Sequence, residues 1–367
     1  MKHLRSASEV GSDSLRDNNA LLANHSLTKR TMDLQELSFP FQDSIRPCES
    51  GQGYALRMAQ ENGLHGLPLL KTWLGKSRFA TLDAADAPML HRWFGANETL
   101  LEFALGHTAT GRREQGYSYA GQSMGRSYFL NRAYPRVCPE CLAADEHCVI
   151  PWDISLVVVC TRHRRTLIDR CHYCQSALSW NRSRLGACGC GVELAMSDSP
   201  QEVMPIEVQF AAWVDGRVAR SSEQMRSASQ SVAVVPARPV GLTALMTLLW
   251  PLSLNGGLHV AYALGTAAGY DDQSHILPRR EKTPLKKAQQ VLVQANELAE
   301  KIARLEPVKF RISRPSVVVQ LLAESAAAQN GSADQSLAQS ILVAVLRYQK
   351  RATWSSLNPN LSQLLLF

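Results

Sequence analysis

Cys138-Pro139-Glu140-Cys141, Cys160-Thr161-Arg162-His163, Cys171-His172-Tyr173-Cys174 and Cys188-Gly189-Cys190 are four close pairs of metal-binding residue types. Two such side chains separated by one or two residues reach a single metal from a tight turn, so the four pairs offer enough ligands for two tetrahedral Zn²⁺ sites. Sequential pairing puts Cys138, Cys141, Cys160 and His163 on the first zinc and Cys171, Cys174, Cys188 and Cys190 on the second. A cross-braced arrangement would join the first pair to the third, and the spacing permits both. A zinc with four protein ligands has no open position for water or substrate, so the pattern predicts structural rather than catalytic metal.

Other thiols and imidazoles nearby fit less well. Cys48 and Cys148 stand outside the paired spacing and read as ordinary thiols. His172 follows Cys171 directly, but the two-residue interval favours Cys174, and His147 reads as a solvated loop residue. The β-branched run from Val149 to Val159 delivers the chain into Cys160, with Trp152 expected in the core beneath the metal sites.

Composition bounds the rest. The chain has 367 residues, 45% hydrophobic and 19% charged, with a net charge of +7 and a pI near 9.0. That is enough for two or three domains with real cores, and it permits an anionic partner. Cysteines clustered with a histidine, rather than spread as a disulfide framework, indicate a reducing compartment such as the cytoplasm. From Pro239 to Tyr270 there is no Asp, Glu, Lys or Arg, yet Pro251, Ser253, Asn255, Gly256 and Gly257 break the stretch into pieces too short to span a bilayer. Two buried helices are expected there.

The chain reads as mainly α. Residues 1–35 form a polar tail without the apolar segment of a signal peptide. Residues 36–135 form a helical domain. In it Tyr54, Leu56, Met58 and Ala59 share a helix ending at Asn62-Gly63, and a second short helix follows over 67–74. The pair is compatible with a helix-turn-helix and equally with two ordinary packed helices. Residues 136–195 are the double zinc-binding module, 196–238 a linker, and 239–367 a helical C-terminal domain. There a helix over 316–328 and another carrying Leu337, Ile341, Leu342, Val345 and Leu346 make a second helix-turn-helix candidate.

Positive charge is concentrated in one place. Residues 279–314 carry ten Lys or Arg against four acids, whereas 136–195 carry seven against six. A nucleic-acid-binding face is therefore expected at Arg279, Arg280, Lys282, Lys286, Lys287, Lys309, Arg311 and Arg314, with a solvated helical face as the plainer alternative. Arg162, Arg164 and Arg165 form a smaller basic group. No phosphate-binding Gly-rich loop and no nucleophile elbow occurs, so no enzymatic reading stands out.

Tyr134-Pro135-Arg136-Val137-Cys138-Pro139-Glu140-Cys141-Leu142, then Trp152, then Cys160-Thr161-Arg162-His163 with Leu167, and Cys171-His172-Tyr173-Cys174 with Leu178, resemble the TniQ/TnsD family of transposon target-site selectors. Arg46-Pro47-Cys48-Glu49-Ser50 leading into Leu56-Arg57-Met58-Ala59 is similar to that family's opening, although Gly51 and Gly53 depart from it where a helix would begin. The resemblance implies a non-catalytic adaptor with helix-turn-helix domains beside the zinc module. It would recognise target DNA or an RNA-guided Cascade complex and recruit an AAA+ ATPase regulator, which recruits the transposase; some members form homodimers. A free-standing zinc-containing DNA-binding transcription regulator would use the same parts.

Overall fold

Helix α1, Gly51–Glu61, starts where the sequence places two glycines, and the packing explains them. A Cβ on Gly51 would lie 2.6 Å from the Leu105 side chain, and one on Gly53 would lie 3.1 Å from Cys148. The glycines let the first turn press against two other elements, so nine consecutive residues from Gly51 to Ala59 are buried. The helix stops at Asn62, followed by Gly63 at φ +68°. The Asn62 side chain pairs reciprocally with the backbone of Phe41, which fixes the entering segment beside the helix end.

The computed structural model describes residues 37–107, 117–124, 129–145, 147–198, 202–227, 246, 249 and 284–303. The chain divides into Met1–Leu37 and Ser38–Phe367, and the elements named in this section all belong to the second unit. Its described part is mainly helical, as expected. The tail over 1–35, the helices expected between 239 and 270, the pair at 316–346, and Arg279, Arg280, Lys282, Lys309, Arg311 and Arg314 fall outside the described residues.

After α1 come α2 (Leu67–Trp73), a 3-10 turn at Ala84–Asp86, α3 (Ala87–Phe94) and α4 (Glu98–Leu105). Local chemistry sets the breaks. Asp83 and Asp86 form a reciprocal capping box, Gly95 ends α3 in the left-handed region, and the Asn97 side chain caps α4 by accepting from Leu100 N–H. Phe39, Tyr54, Trp73, Trp93 and Phe94 make a contiguous aromatic core between these helices. A short hairpin, β1 (Tyr117–Tyr119) and β2 (Gln122–Met124), lies within the stretch expected to be helical. Its two turn residues, Ala120 and Gly121, both take positive φ, the geometry that matches the twist of a tight hairpin.

The metal-ligand region follows with α5 (Pro139–Asp145), a 3-10 turn at Ile150–Asp153, and the two-residue strands β3 (Val159–Cys160) and β4 (Arg165–Thr166). Trp152 is buried, as expected. The chain then corrects the expectation of a linker over 196–238. Pro205–Ser227 is a single 23-residue helix, α6. It buries Phe210, Ala211, Val214 and Val218 and packs on β3 and the 150–153 turn. Polar anchors fix it further: Thr161 Oγ1 donates to Asp215 Oδ2, and Gln122 reaches Ser221 Oγ at 2.8 Å. Helix α7, Leu285–Ala303, packs on α6 with Ala288, Val291, Leu292 and Ala295 buried. Leu285 N–H donates to Asp169 Oδ2 at 2.8 Å, tying α7 to the segment between the two ligand clusters.

Candidate metal centres and their surroundings

The structure gathers the ligand residues into two groups: Cys138, Cys141, Cys160 and His163, and Cys171, Cys174, Cys188 and Cys190. Within each group all four ligand atoms lie within 4.8 Å of one another. Consecutive knuckles therefore meet, and the cross-braced alternative is not the arrangement formed.

The spacing inside each group suits zinc. Zn–S bonds of about 2.3 Å and Zn–N bonds of about 2.0 Å in a tetrahedron place two sulfurs about 3.8 Å apart, and a sulfur and a nitrogen about 3.6 Å apart. In the first group Cys141 and Cys160 Sγ are 3.6 Å apart, and His163 Nδ1 lies 3.4, 3.2 and 3.7 Å from the sulfurs of Cys138, Cys141 and Cys160. In the second, Cys171 to Cys190 and Cys174 to Cys188 are both 3.8 Å. The donor sets, three thiols with an imidazole and four thiols, fit a divalent, thiophilic ion.

Each knuckle has a recognisable construction. Cys138 precedes α5 and Cys141 sits in that helix's first turn. The other three turns each carry a positive-φ residue immediately after the second ligand: Arg164 after His163, Gln175 after Cys174, and Gly191 after Cys190. That left-handed step folds the chain back beneath its own ligands, with Arg164 N–H donating to Cys160 O, Gln175 N–H to Cys171 O and Gly191 N–H to Cys188 O. Glycine announces the step only at the third turn, which is why sequence inspection missed the other two.

Proton affinities within the groups follow from crowding. Hydrogen bonds from the Cys138 and Cys141 thiols hold Cys160 far below the usual thiol range, while Cys138, hydrogen-bonded with Cys141 and Cys160, is pushed far above it. Burial raises Cys188 to about 12, whereas the exposed Cys174, receiving hydrogen bonds from Ser176, falls to about 6. Adjacent thiolates repel, so one ionises readily and its neighbours keep their protons; a bound cation removes that conflict by accepting all of them.

The remaining sequence candidates separate cleanly. Cys148 is buried with its thiol raised to about 12 by burial, and Cys48 is half-buried and likewise raised, so both are ordinary thiols. His172 Nδ1 contacts Ser197 Oγ at 2.7 Å rather than joining the cluster. Arg165 pairs with Glu140 at 2.8 Å, while Arg162 and Arg164 are exposed. In the basic segment Lys286 is exposed, but Lys287 is partly buried and its ammonium is lowered to about 8 by desolvation.

The α1–α2 pair presents no Lys or Arg to solvent. Arg57 is buried against Glu49 and Asp43, and Lys71 is buried with its ammonium donating to Arg78 O and Asn181 Oδ1. The end of α1 and the loop after it instead contact the segment between Cys174 and Cys188: Gln60 Oε1 accepts from Leu185 N–H, and Gly66 sits against the Arg182 carbonyl. The packed-helix reading accounts for this pair.

No helix among the described residues is long and apolar enough to cross a membrane. No curated protein matches the chain. Residues 40–167 match the TniQ family model, so the helices from α1 to α4, the hairpin and the whole of the first candidate metal-ligand cluster lie within a TniQ domain, which marks the protein as transposition-associated.

Proposed function

We propose that this protein is a non-catalytic targeting adaptor of a transposition system. It recognises target DNA or an RNA-guided Cascade complex and recruits an AAA+ ATPase regulator, and through it the transposase. The observation that carries this reading is the TniQ domain at 40–167 joined to two four-ligand clusters with complete tetrahedral donor sets. Four protein ligands per metal leave no site for a water nucleophile, so both zincs serve folding and the function lies in surfaces. A free-standing zinc-containing DNA-binding transcription regulator is the second reading, and α1 and α2, which bury their basic side chains, supply neither reading with a basic surface.

The test is co-purification of the full chain with an AAA+ transposition regulator taken from the same genome. A stable complex, with no hydrolysis of nucleic acid or peptide by the chain alone, is the expected result. Retention of a specific DNA duplex without retention of the ATPase would replace the adaptor by the regulator.

A further inference from the structure

The segment from Gln175 to Ala187 leaves the second cluster at Cys174 and returns to it at Cys188, and the sulfurs of these two residues lie 3.8 Å apart. It forms no helix, and its ladder contacts are single bridges near its two ends, Arg170 with Ala177 and Ala187 with Glu193. Yet Leu178, Trp180, Arg182 and Leu185 are buried along it. Ordering an irregular stretch costs conformational entropy, so such a course holds only where the ends are fixed and the middle is gripped. The cluster fixes the ends.

The grip comes from the helical domain, and Asn181 is its centre. Asn181 Oδ1 accepts from Lys71 Nζ at 3.1 Å, and Asn181 Nδ2 donates to Arg78 O at 3.1 Å. Lys71 Nζ also donates to Arg78 O at 3.2 Å, which closes a triangle between α2, the loop beyond it and the segment. Lys71 is 4% exposed, so Asn181 supplies one of the two oxygens that compensate for burying its ammonium. Leu185 N–H donates to Gln60 Oε1 at 2.9 Å, and the Arg182 carbonyl abuts Gly66. Trp180 adds its indole N–H to Arg132 O at 2.8 Å. In one run the segment thus touches the end of α1, the α1–α2 loop, α2 and the turn after α2.

We propose that the second cluster works as a clasp. With metal in it, the segment from Gln175 to Ala187 is a strap that holds the α1–α2 loop and α2 in place. Loss of that metal frees the strap and loosens both, while the first cluster and the remaining helical core stay folded. The two clusters can be separated in this way because Cys174 and Cys190 are exposed, whereas Cys138, Cys141 and Cys160 are buried. The clasp rests on metal occupying the second cluster and is independent of the targeting role.

The full zinc-loaded chain is treated with a chelator until one equivalent has left, and alkylation of Cys174 and Cys190 confirms which centre is empty. Amide exchange and amine acylation are then followed by mass spectrometry. Exchange over 63–73 should speed at least about tenfold, given three hydrogen bonds across the junction, and Lys71 should become acylated. Exchange over α3 and α4 should stay as it was. With both centres filled, Asn181→Ala should open Lys71 to acylation without loss of zinc, and Asn181→Asp, which still offers Lys71 an oxygen, should keep it protected. Unchanged exchange with an unreactive Lys71 in the one-zinc protein overturns the clasp. So does equal speeding over α3 and α4, which marks general unfolding, and so does a Lys71 that stays unreactive in Asn181→Ala. A folded wild-type chain that binds a single zinc overturns the metal reading of the second cluster, and the clasp with it.

Discussion

Gly66 takes φ +74° and ψ −167°, a region that side-chain-bearing residues almost never enter. A Cβ there would also stand 2.0 Å from the Arg182 carbonyl oxygen, a backbone atom that cannot rotate away. Gly66→Ala therefore combines strain with a clash and should cost about 3 kcal/mol or more, read as a large fall in melting temperature. Gly63→Ala, with φ +68° and open space around the new methyl, is the control and should cost about 1 kcal/mol. Asp153 offers a second test at this scale. Burial raises its carboxyl to about 6, against hydrogen bonds from Tyr119 OH and Ser50 Oγ that lower it. The folded chain thus holds a proton between about pH 4 and 6 that the unfolded chain has released. Stability from this group is complete below its unfolded value and is lost as pH rises to about 6, a change of about 3 kcal/mol. Asp153→Asn should flatten that interval in denaturant melts taken across pH, and an unchanged slope would place the titration elsewhere.

Elements differ in how much of them could be read in advance. The grouping of the eight candidate metal ligands was legible because knuckle chemistry is local: spacing alone sets which side chains share a turn. The end of α1 was legible at Asn62-Gly63 for the same reason. Helix α6 was not. Its apolar stripe of Phe210, Ala211, Val214 and Val218 is narrow, and much of its attachment runs through polar residues, Asp215, Arg217 and Ser221, whose partners Thr161 and Gln122 are remote in sequence. A polar helix used this way has the composition of a linker. Gly51 and Gly53 misled similarly, since their reason lies in Leu105 and Cys148 rather than in the helix itself. If α6 belongs to the same cooperative unit as the metal centres, Phe210→Ala should lower unfolding free energy by about 3 kcal/mol in a single transition. A detached helix would leave the midpoint where it was.

At the scale of the whole molecule the two centres should behave unequally. Cys138, Cys141 and Cys160 are all buried, whereas Cys174 and Cys190 are exposed. A chelator can approach the second centre and not the first, so zinc is expected to leave in two phases, one equivalent quickly and one only on unfolding, followed by a coloured metal indicator. Cys138→Ser should abolish the slow phase and unfold the central module, since structural zinc supplies about 10 kcal/mol of folding free energy in small modules. A single fast phase for both equivalents would contradict the asymmetry of exposure. The family match ends at residue 167, yet Lys71 donates to Asn181, Gln60 accepts from Leu185, and Gly66 abuts Arg182. The stretch that recurs among related proteins is therefore shorter than the stretch that folds. Any chimera or expression fragment joined at the family boundary would sever these ties, leaving Lys71, Gln60 and Gly66 without the segment they pack against.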